Sequence, residues 1–299
     1  MNQYHLLLLS LLLGASTGQA QPAVAVNSTQ NPAGPVPTEA APSKPKATQS
    51  PVYFKAYGFY SLLTPGGDLN YSYSQTQSTT PTIYKATDKS LGAGPRAGVG
   101  LGFIVSDFIN LGIDADILFG TPLTIDNTFF SGNSRYTTSR TTTLKVLSIT
   151  PNITFKALSR PAYYLYNRLG LVGGVILDYE ITGNELETPA RGAVNTTVSN
   201  DKYTKNSLAL GYQVAFGIQF RLSQRLRGFA EVVAYNQSFK PQEIKSTYTT
   251  TKSGDATTQR SVTLYKEQGD FNKSDPYEQP SFNVAINSIG VGAGLAFRF

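Results

Sequence analysis

Large apolar residues occupy every second position along residues 207–221, SLALGYQVAFGIQFR. The apolar set is Leu208, Leu210, Tyr212, Val214, Phe216, Ile218 and Phe220. Serine, alanine, glycine, glutamine and arginine fill the positions between them. Successive side chains of a β-strand point to opposite faces, so this segment predicts a strand with one apolar face and one small or polar face. The alternation outlasts an ordinary soluble strand of roughly five or six residues.

Seven further segments repeat this alternation and bring the number of predicted strands to eight. The eight segments lie at residues 52–62, 92–105, 109–121, 143–156, 161–177, 206–222, 225–239 and 281–299. Every second connection is short, whereas the others are long and polar and lie near 63–91, 122–142, 178–205 and 240–280. This rhythm is typical of outer-membrane barrels. The sequence therefore predicts an all-β fold: an eight-stranded antiparallel up-and-down transmembrane β-barrel with short periplasmic turns and long extracellular loops.

One connection leaves the strand count open between eight and ten. Residues 245–265 contain the turn sequence Ser253-Gly254-Asp255, which favours a hairpin that would add two strands. The faces of this hairpin are almost wholly threonine, lysine and serine. We therefore interpret it as a hairpin that projects into water.

The composition of the two faces predicts which one points inward. A surface in water is normally rich in lysine and glutamate, whereas the polar face here is mostly glycine, alanine, serine and asparagine. Small side chains suit the interior of an eight-stranded barrel, so we expect the apolar face to contact lipid rather than to fill a lipocalin-like interior. Aromatic residues near the strand ends predict girdles at the two bilayer interfaces. They are Phe103, Phe155, Tyr163, Phe220 and Phe297 at one rim, and Tyr60, Phe119 and either Tyr235 or Phe282 at the other.

The first fifty residues differ from the rest of the chain. Residues 1–20 are typical of a secretory signal peptide, because an apolar run at 6–13 precedes the small-x-small site Gly18-Gln19-Ala20. We expect export, cleavage after Ala20 and localisation in the cell outer membrane. Residues 21–51 hold seven prolines, which predict an extended periplasmic linker before a barrel at 52–299.

Composition excludes several kinds of chemistry. The chain has no cysteine, and its one histidine, His5, lies in the predicted signal peptide. Catalytic triads and histidine or cysteine metal sites are therefore excluded from the mature chain, and we expect no enzyme activity, no metal and no cofactor. The formal net charge of +6 comes from scattered lysines and arginines, which predict no nucleic-acid binding but a loose affinity for anionic lipopolysaccharide.

Six charged residues fall at inward positions of the predicted strands and are the candidate functional residues. They are Lys55, Arg96, Asp114, Asp116, Arg168 and Glu231. The two aspartates share a strand face and could bind a cation, but we interpret them as the charge balance of the arginines. A turn near residue 107 places position 98 opposite 116, so Arg96 would lie diagonal to Asp116. Tyr235 is also predicted to face inward beside Glu231, in conflict with its place in a girdle.

Two further motifs complete a family resemblance. With the export signal and the strand rhythm, LSITPNITF at 147–155 and the ending VGAGLAFRF resemble the small outer-membrane β-barrel family of Gram-negative envelopes, which includes OmpA/OmpX-like and PorT-like barrels. The resemblance implies that the terminal aromatic strand, here with Phe297 and Phe299, is the signal read by the barrel-assembly machinery.

These observations support three hypotheses about function. The leading one is a non-enzymatic outer-membrane barrel with a structural or surface-binding role and a largely plugged polar lumen. The alternative is a narrow porin-like channel for ions or small hydrophilic solutes. A third, resting on the resemblance alone, is an accessory role in a secretion or gliding machine. The long connections predict equally an extracellular ligand-binding surface or a mobile coat.

Overall fold

The computed structural model describes residues 50–63, 71–75, 80–86, 91–267, 269, 270 and 272–299. The predicted signal peptide and most of the predicted linker lie outside them. The described chain is all-β. Its strands are β1 (Val52–Leu63), β2 (Tyr71–Ser74), β3 (Ile83–Ala86), β4 (Gly94–Ile104), β5 (Ile109–Phe119), β6 (Leu123–Ser131), β7 (Ser134–Ser159), β8 (Tyr163–Pro189), β9 (Asn195–Asn206), β10 (Ala209–Arg221), β11 (Leu226–Phe239), β12 (Pro241–Lys252), β13 (Asp255–Lys266), β14 (Glu278–Pro280), β15 (Val284–Ala285) and β16 (Ser288–Arg298).

Eight of these strands, here called the main strands, follow one another through antiparallel pairings. The order is β1, β4, β5, β7, β8, β10, β11 and β16. β16 pairs in turn with β1, from Arg298 opposite Tyr53 to Ile289 opposite Leu63. Each main strand therefore has a hydrogen-bonded neighbour on both sides. The main strands coincide with the eight segments that alternation predicts, within a few residues at most ends.

Two of the short turns between main strands are built alike. In the turn after β4, the Ser106 hydroxyl accepts hydrogen bonds from the backbone N–H groups of Phe108 and Ile109. In the turn after β10, the Ser223 hydroxyl accepts from the N–H groups of Arg225 and Leu226 in the same way. A serine at the first turn position can satisfy these donors locally, so each reversal needs only a few residues.

The prediction that the other connections are loops is wrong for much of their length. Sixteen strands are described instead of eight, and β6, β9, β12, β13 and the outer halves of β7 and β8 form a sheet that continues beyond the main strands, here called the extension. Threonine is a good strand former, and it pairs with threonine across neighbouring strands of the extension. The hydroxyl oxygens of Thr124 and Thr141 lie 2.9 Å apart, and those of Thr197 and Thr250 lie 3.1 Å apart.

The segment at 245–265 is a hairpin of the extension. β12 and β13 pair with each other from Lys252 opposite Asp255 onward, and β12 pairs with β9. Ser253 and Gly254 form the two-residue turn with φ of 53° and 94°. Positive φ at both positions matches the tight turn that suits twisted strands. Neither strand of the hairpin pairs with a main strand in the described part of the chain.

Side chains of the main strands alternate between two environments. Large apolar residues point outward and are exposed; Leu171 is 72% exposed and Leu295 51%. Six charged side chains and several amides point inward and are buried, among them Gln213 and Gln237. Along β10 the apolar residues of the first motif are exposed or half-buried, whereas Ala209, Gln213 and Ala215 are buried. This distribution is the inverse of that of a water-soluble protein.

No helix in the described ranges is long and apolar enough to cross a membrane.

Candidate functional site: the buried charge network

The structure brings the six predicted charged residues together inside the main strands. Five strands contribute them: β1 carries Lys55, β4 carries Arg96, β5 carries both aspartates, β8 carries Arg168 and β11 carries Glu231. All six side chains are buried. Three positive and three negative charges make the set formally neutral. These six residues are called the charge network below.

Arg168 is the centre of one half of the charge network. Its guanidinium donates to Asp114 Oδ2 and to Glu231 Oε1, each at 2.5 Å. The Lys55 ammonium lies 2.8 Å from the same Asp114 oxygen. With the Gln213 amide turned so that its oxygen faces the guanidinium, that oxygen accepts from both terminal nitrogens of Arg168, at 2.9 and 3.0 Å. One arginine thereby links strands that are not neighbours in the sheet.

Arg96 and Asp116 form the other half. Gly98 pairs with Asp116, as the sequence predicts, and Arg96 reaches the carboxylate diagonally at 2.9 Å. Neither side chain has any exposure to solvent. The Tyr57 hydroxyl donates to Asp116 at 3.2 Å, and the Tyr235 ring lies under the Arg96 guanidinium with 4.2 Å between Cζ and the ring centre. Asp116 thus accepts from one cation and from two hydroxyls, those of Tyr57 and, at 3.5 Å, Tyr235.

Several residues of the site are not identified in the sequence analysis. Tyr57, Tyr166 and Gln213 contact the charge network although charge alone does not single them out. The Tyr166 hydroxyl donates to Glu231 at 2.8 Å. Their signal is positional, because each sits at an inward position where alternation allows a large polar side chain. Tyr235 is 4% exposed, so its assignment to a girdle is wrong, whereas its inward assignment agrees with its burial.

Glycine makes room for the charged side chains. Gly100 pairs with Asp114, and a Cβ at Gly100 would collide with Asp114 Oδ1 and with the Lys55 stem. At the height of the charge network, the glycines of 92–102 that alternate with apolar residues therefore leave space for inward-pointing side chains. A cavity of about 30 Å³ remains beside Lys55, Arg168 and Glu231, which is room for about two water molecules.

The carboxylates of the network are engaged with cations and hydroxyls. Asp114 accepts through Oδ2 from Lys55 and Arg168, and Asp116 accepts through Oδ1 from Arg96. Within the described ranges, no cluster of three or more histidine, cysteine, aspartate or glutamate side chains could hold a metal ion. What the arrangement does physically is to tie five strands together through charge-assisted hydrogen bonds.

Apolar clusters occupy the interior at the end away from the short turns. One cluster gathers residues from the outer ends of the main strands and from the segment around β15. Its buried members are Leu118, Leu144, Val146, Tyr179, Ala209, Phe239, Val284 and Ile286. A second cluster contains Phe59 and Tyr235, whose rings pack edge to face with their centres 5.5 Å apart.

The extension carries a separate polar cavity of about 400 Å³. Its lining mixes aromatic, hydroxyl, amide and charged groups. These are Tyr73, Asn127, Phe129, Thr138, Arg140, Gly183, Asn184, Glu185, Thr197, Ser199 and Tyr248. Next to it, Asn195 and Tyr136 donate hydrogen bonds to Glu187, which lower the pKa of the Glu187 carboxyl. Phe129 stacks on Tyr136 at 5.1 Å between ring centres.

The predicted assembly residues lie beside the short turns: Phe297 is in the C-terminal end of β16, and Phe299 directly follows the strand. Phe297 is 40% exposed and Phe299 is 55% exposed, and their rings pack edge to face at 5.5 Å. Recognition of these two residues by the barrel-assembly machinery stays a prediction.

Comparison with known proteins finds only distant likeness. No protein-family model and no curated protein matches the chain. Among solved structures it is similar to CarO2 of Acinetobacter baumannii, with a TM-score of 0.31 and 12% identity over 84% of this chain and 100% of that one. It is similar to the outer membrane protease OmpT of Escherichia coli, with a TM-score of 0.31 and 9% identity over 84% of this chain and 94% of that one. It is also similar to the toluene transporter TodX of Pseudomonas putida, with a TM-score of 0.28 and 9% identity over 83% of this chain and 89% of that one. Likeness of this degree assigns neither a fold nor an activity to this chain.

Proposed function

We propose that the chain is an integral outer-membrane protein whose main strands form an eight-stranded antiparallel transmembrane β-barrel with a largely plugged polar lumen and a non-enzymatic role. One observation carries this proposal: the exposed face of the main strands is apolar, and their buried face is charged. An exposed apolar surface of this extent needs an apolar environment, and a lipid bilayer supplies it.

The backbone of the main strands supports the same proposal. Hydrocarbon offers no hydrogen-bond partner, so a sheet in a membrane needs a neighbour on both sides of every strand. The cyclic order of pairings from β1 back to β1 meets that need. The main strands are at least 11 residues long, and about 9–11 tilted residues cross a bilayer.

The positions of aromatic residues also support a bilayer. Near the short turns, the predicted girdle residues Phe103, Phe155, Tyr163, Phe220 and Phe297 are all exposed, between 38% and 49%. Near the other end, Tyr60, Phe119 and Phe282 are exposed. Aromatic rings favour the two interfaces of a membrane, so the two groups are placed as paired girdles would be. By the rule for such barrels, the short turns would face the periplasm.

The interior favours a plugged barrel over the alternative of a narrow channel. The charge network crosses the interior from strand to strand, and an apolar cluster packs between it and the extension. An ion would have to pass a formally neutral, tightly paired network and then a desolvated apolar layer.

Single-channel recording in a planar bilayer tests the plugged lumen. We expect a silent bilayer from the folded full-length protein, with folding shown by heat-dependent gel mobility. The matched comparison is a variant that thins the apolar cluster, Leu144→Ala with Phe239→Ala. Reproducible conductance steps from the unmodified protein would replace the plugged barrel with the porin-like alternative.

The remaining parts of the proposal concern location and partners. Export with cleavage after Ala20, contact with lipopolysaccharide and membership of the OmpA/OmpX-like and PorT-like barrels rest on the sequence features given above. The extension and its polar cavity support a surface-binding role, because they present aromatic and polar groups at the end away from the short turns. An accessory role in a secretion machine has no structural observation in its favour.

A further inference from the structure

A third cavity lies at the end of the main strands opposite the extension, beside the short turns. Its volume is about 430 Å³. Aromatic, amide and charged side chains line it. It is called the basal cavity below. Neither the charge network nor the apolar clusters include its charged residues.

The basal cavity collects positive charge. Lys156, Arg227 and Arg298 line it, and Asp107 is its one acidic side chain. The Lys156 ammonium and the Arg227 guanidinium lie 5.4 and 5.7 Å from the centre of the same ring, Tyr164. Arg227 pairs with Ala296, so Arg298 is its diagonal neighbour on the adjacent strand.

Two of these cations, Lys156 and Arg227, are not neutralised by carboxylates in the manner of the charge network. Over the ranges that the structure describes, neither Lys156 nor Arg227 forms an ion pair. Two cations that approach the same ring repel each other, and an anion that enters between them relieves the repulsion. The contrast with Arg168, which holds two carboxylates, indicates that Lys156 and Arg227 are placed for something other than internal balance.

We propose that the basal cavity binds a small phosphate-bearing molecule. Guanidinium groups present forked donors that match phosphate oxygens, and an ammonium adds a point charge. Asn110 and Gln219 supply neutral amides, while Tyr53, Phe108 and Tyr164 give apolar walls for the organic part of a ligand. The volume exceeds what a single phosphate needs and lies in the usual range of small-molecule sites.

The inference goes beyond the proposed function and stands on the cavity alone. In the proposed orientation the cavity opens to the periplasm, where a phosphate group can come from a soluble phosphate ester or from a phospholipid head group. Both sources share the same recognition chemistry, and an experiment can separate them.

Titration calorimetry with inorganic pyrophosphate tests the site on the full-length protein folded in a non-ionic detergent. We expect saturable binding of one pyrophosphate per chain. Arg227→Gln should weaken it at least about tenfold, because charged hydrogen bonds to phosphate are lost. The matched control is Arg160→Gln, which removes the same charge from an exposed turn at the same end but outside the cavity, and it should change affinity by less than about twofold.

No saturable binding, or equal weakening by Arg227→Gln and Arg160→Gln, overturns the proposal. If Arg227→Gln does not fold by heat-dependent gel mobility, Lys156→Gln serves in its place with the same expectation. In nanodiscs with and without phosphatidylglycerol, loss of pyrophosphate binding only with the anionic lipid identifies a head group as a competing natural ligand, whereas unchanged binding identifies a soluble one. These binding results do not depend on the plugged lumen, because pyrophosphate binding can be measured whether or not the barrel conducts ions.

Discussion

Replacing Arg168 with leucine is expected to lower the free energy of unfolding by about 3–5 kcal/mol. The side chain is 3% exposed and donates to Asp114 and Glu231. Without it, Glu231 loses its only ion-pair partner among the described residues, and Asp114 keeps Lys55 alone. A buried carboxylate without a counter-charge is costly, so the folded state should be weakened far more than by the loss of packing.

Urea unfolding in detergent micelles, followed by circular dichroism and by gel mobility, measures this loss. The control is Arg140→Leu, which removes an arginine that is exposed on the extension and forms no ion pair in the described ranges. Arg140→Leu should leave the midpoint nearly unchanged. An unchanged midpoint for Arg168→Leu would show that the charge network contributes nothing to stability.

The period-two pattern makes much of this arrangement predictable from sequence. A strand shows its two faces directly in the order of its residues, so the positions of Arg96, Asp114 and Asp116 follow once the apolar face is assigned outward. Local pairing is also accessible, because the short turn after β4 fixes Gly98 opposite Asp116.

Contacts across the interior cannot be predicted from the sequence in this way. Arg168 reaches Asp114 although β8 and β5 are separated in the sheet by β7, and no local turn encodes that approach. The strands of the extension are not predicted from the sequence for a different reason. Threonine-rich segments such as 134–143 have polar faces on both sides, so they lack the apolar alternation that identifies the main strands, yet threonine pairs well across strands. Tyr235 shows a third limit, since a tyrosine suits both an interface girdle and a buried hydrogen bond.

Asp116→Leu is the second substitution with a large expected effect, again about 3–5 kcal/mol of unfolding free energy. Arg96 is fully buried, and Asp116 is its only ion-pair partner in the part of the chain that the structure describes. The Arg96 Nε and Nη2 atoms already have no hydrogen-bond acceptor among the described residues. Removing the carboxylate would leave the guanidinium with the Tyr235 ring alone, and the hydroxyls of Tyr57 and Tyr235 would lose this acceptor.

A double-mutant cycle separates charge pairing from packing at this site. A buried pair that is replaced as a whole is often tolerated, because the cost of desolvating both charges disappears with them. Arg96→Leu with Asp116→Leu should therefore lose less stability than the sum of the two single losses, with a coupling of about 1–3 kcal/mol. Asp126→Leu, at an exposed aspartate of β6, is the control for loss of one negative charge. Strictly additive losses would mean that the two side chains act only as volume, and the ion pair would then have no part in holding β4 to β5.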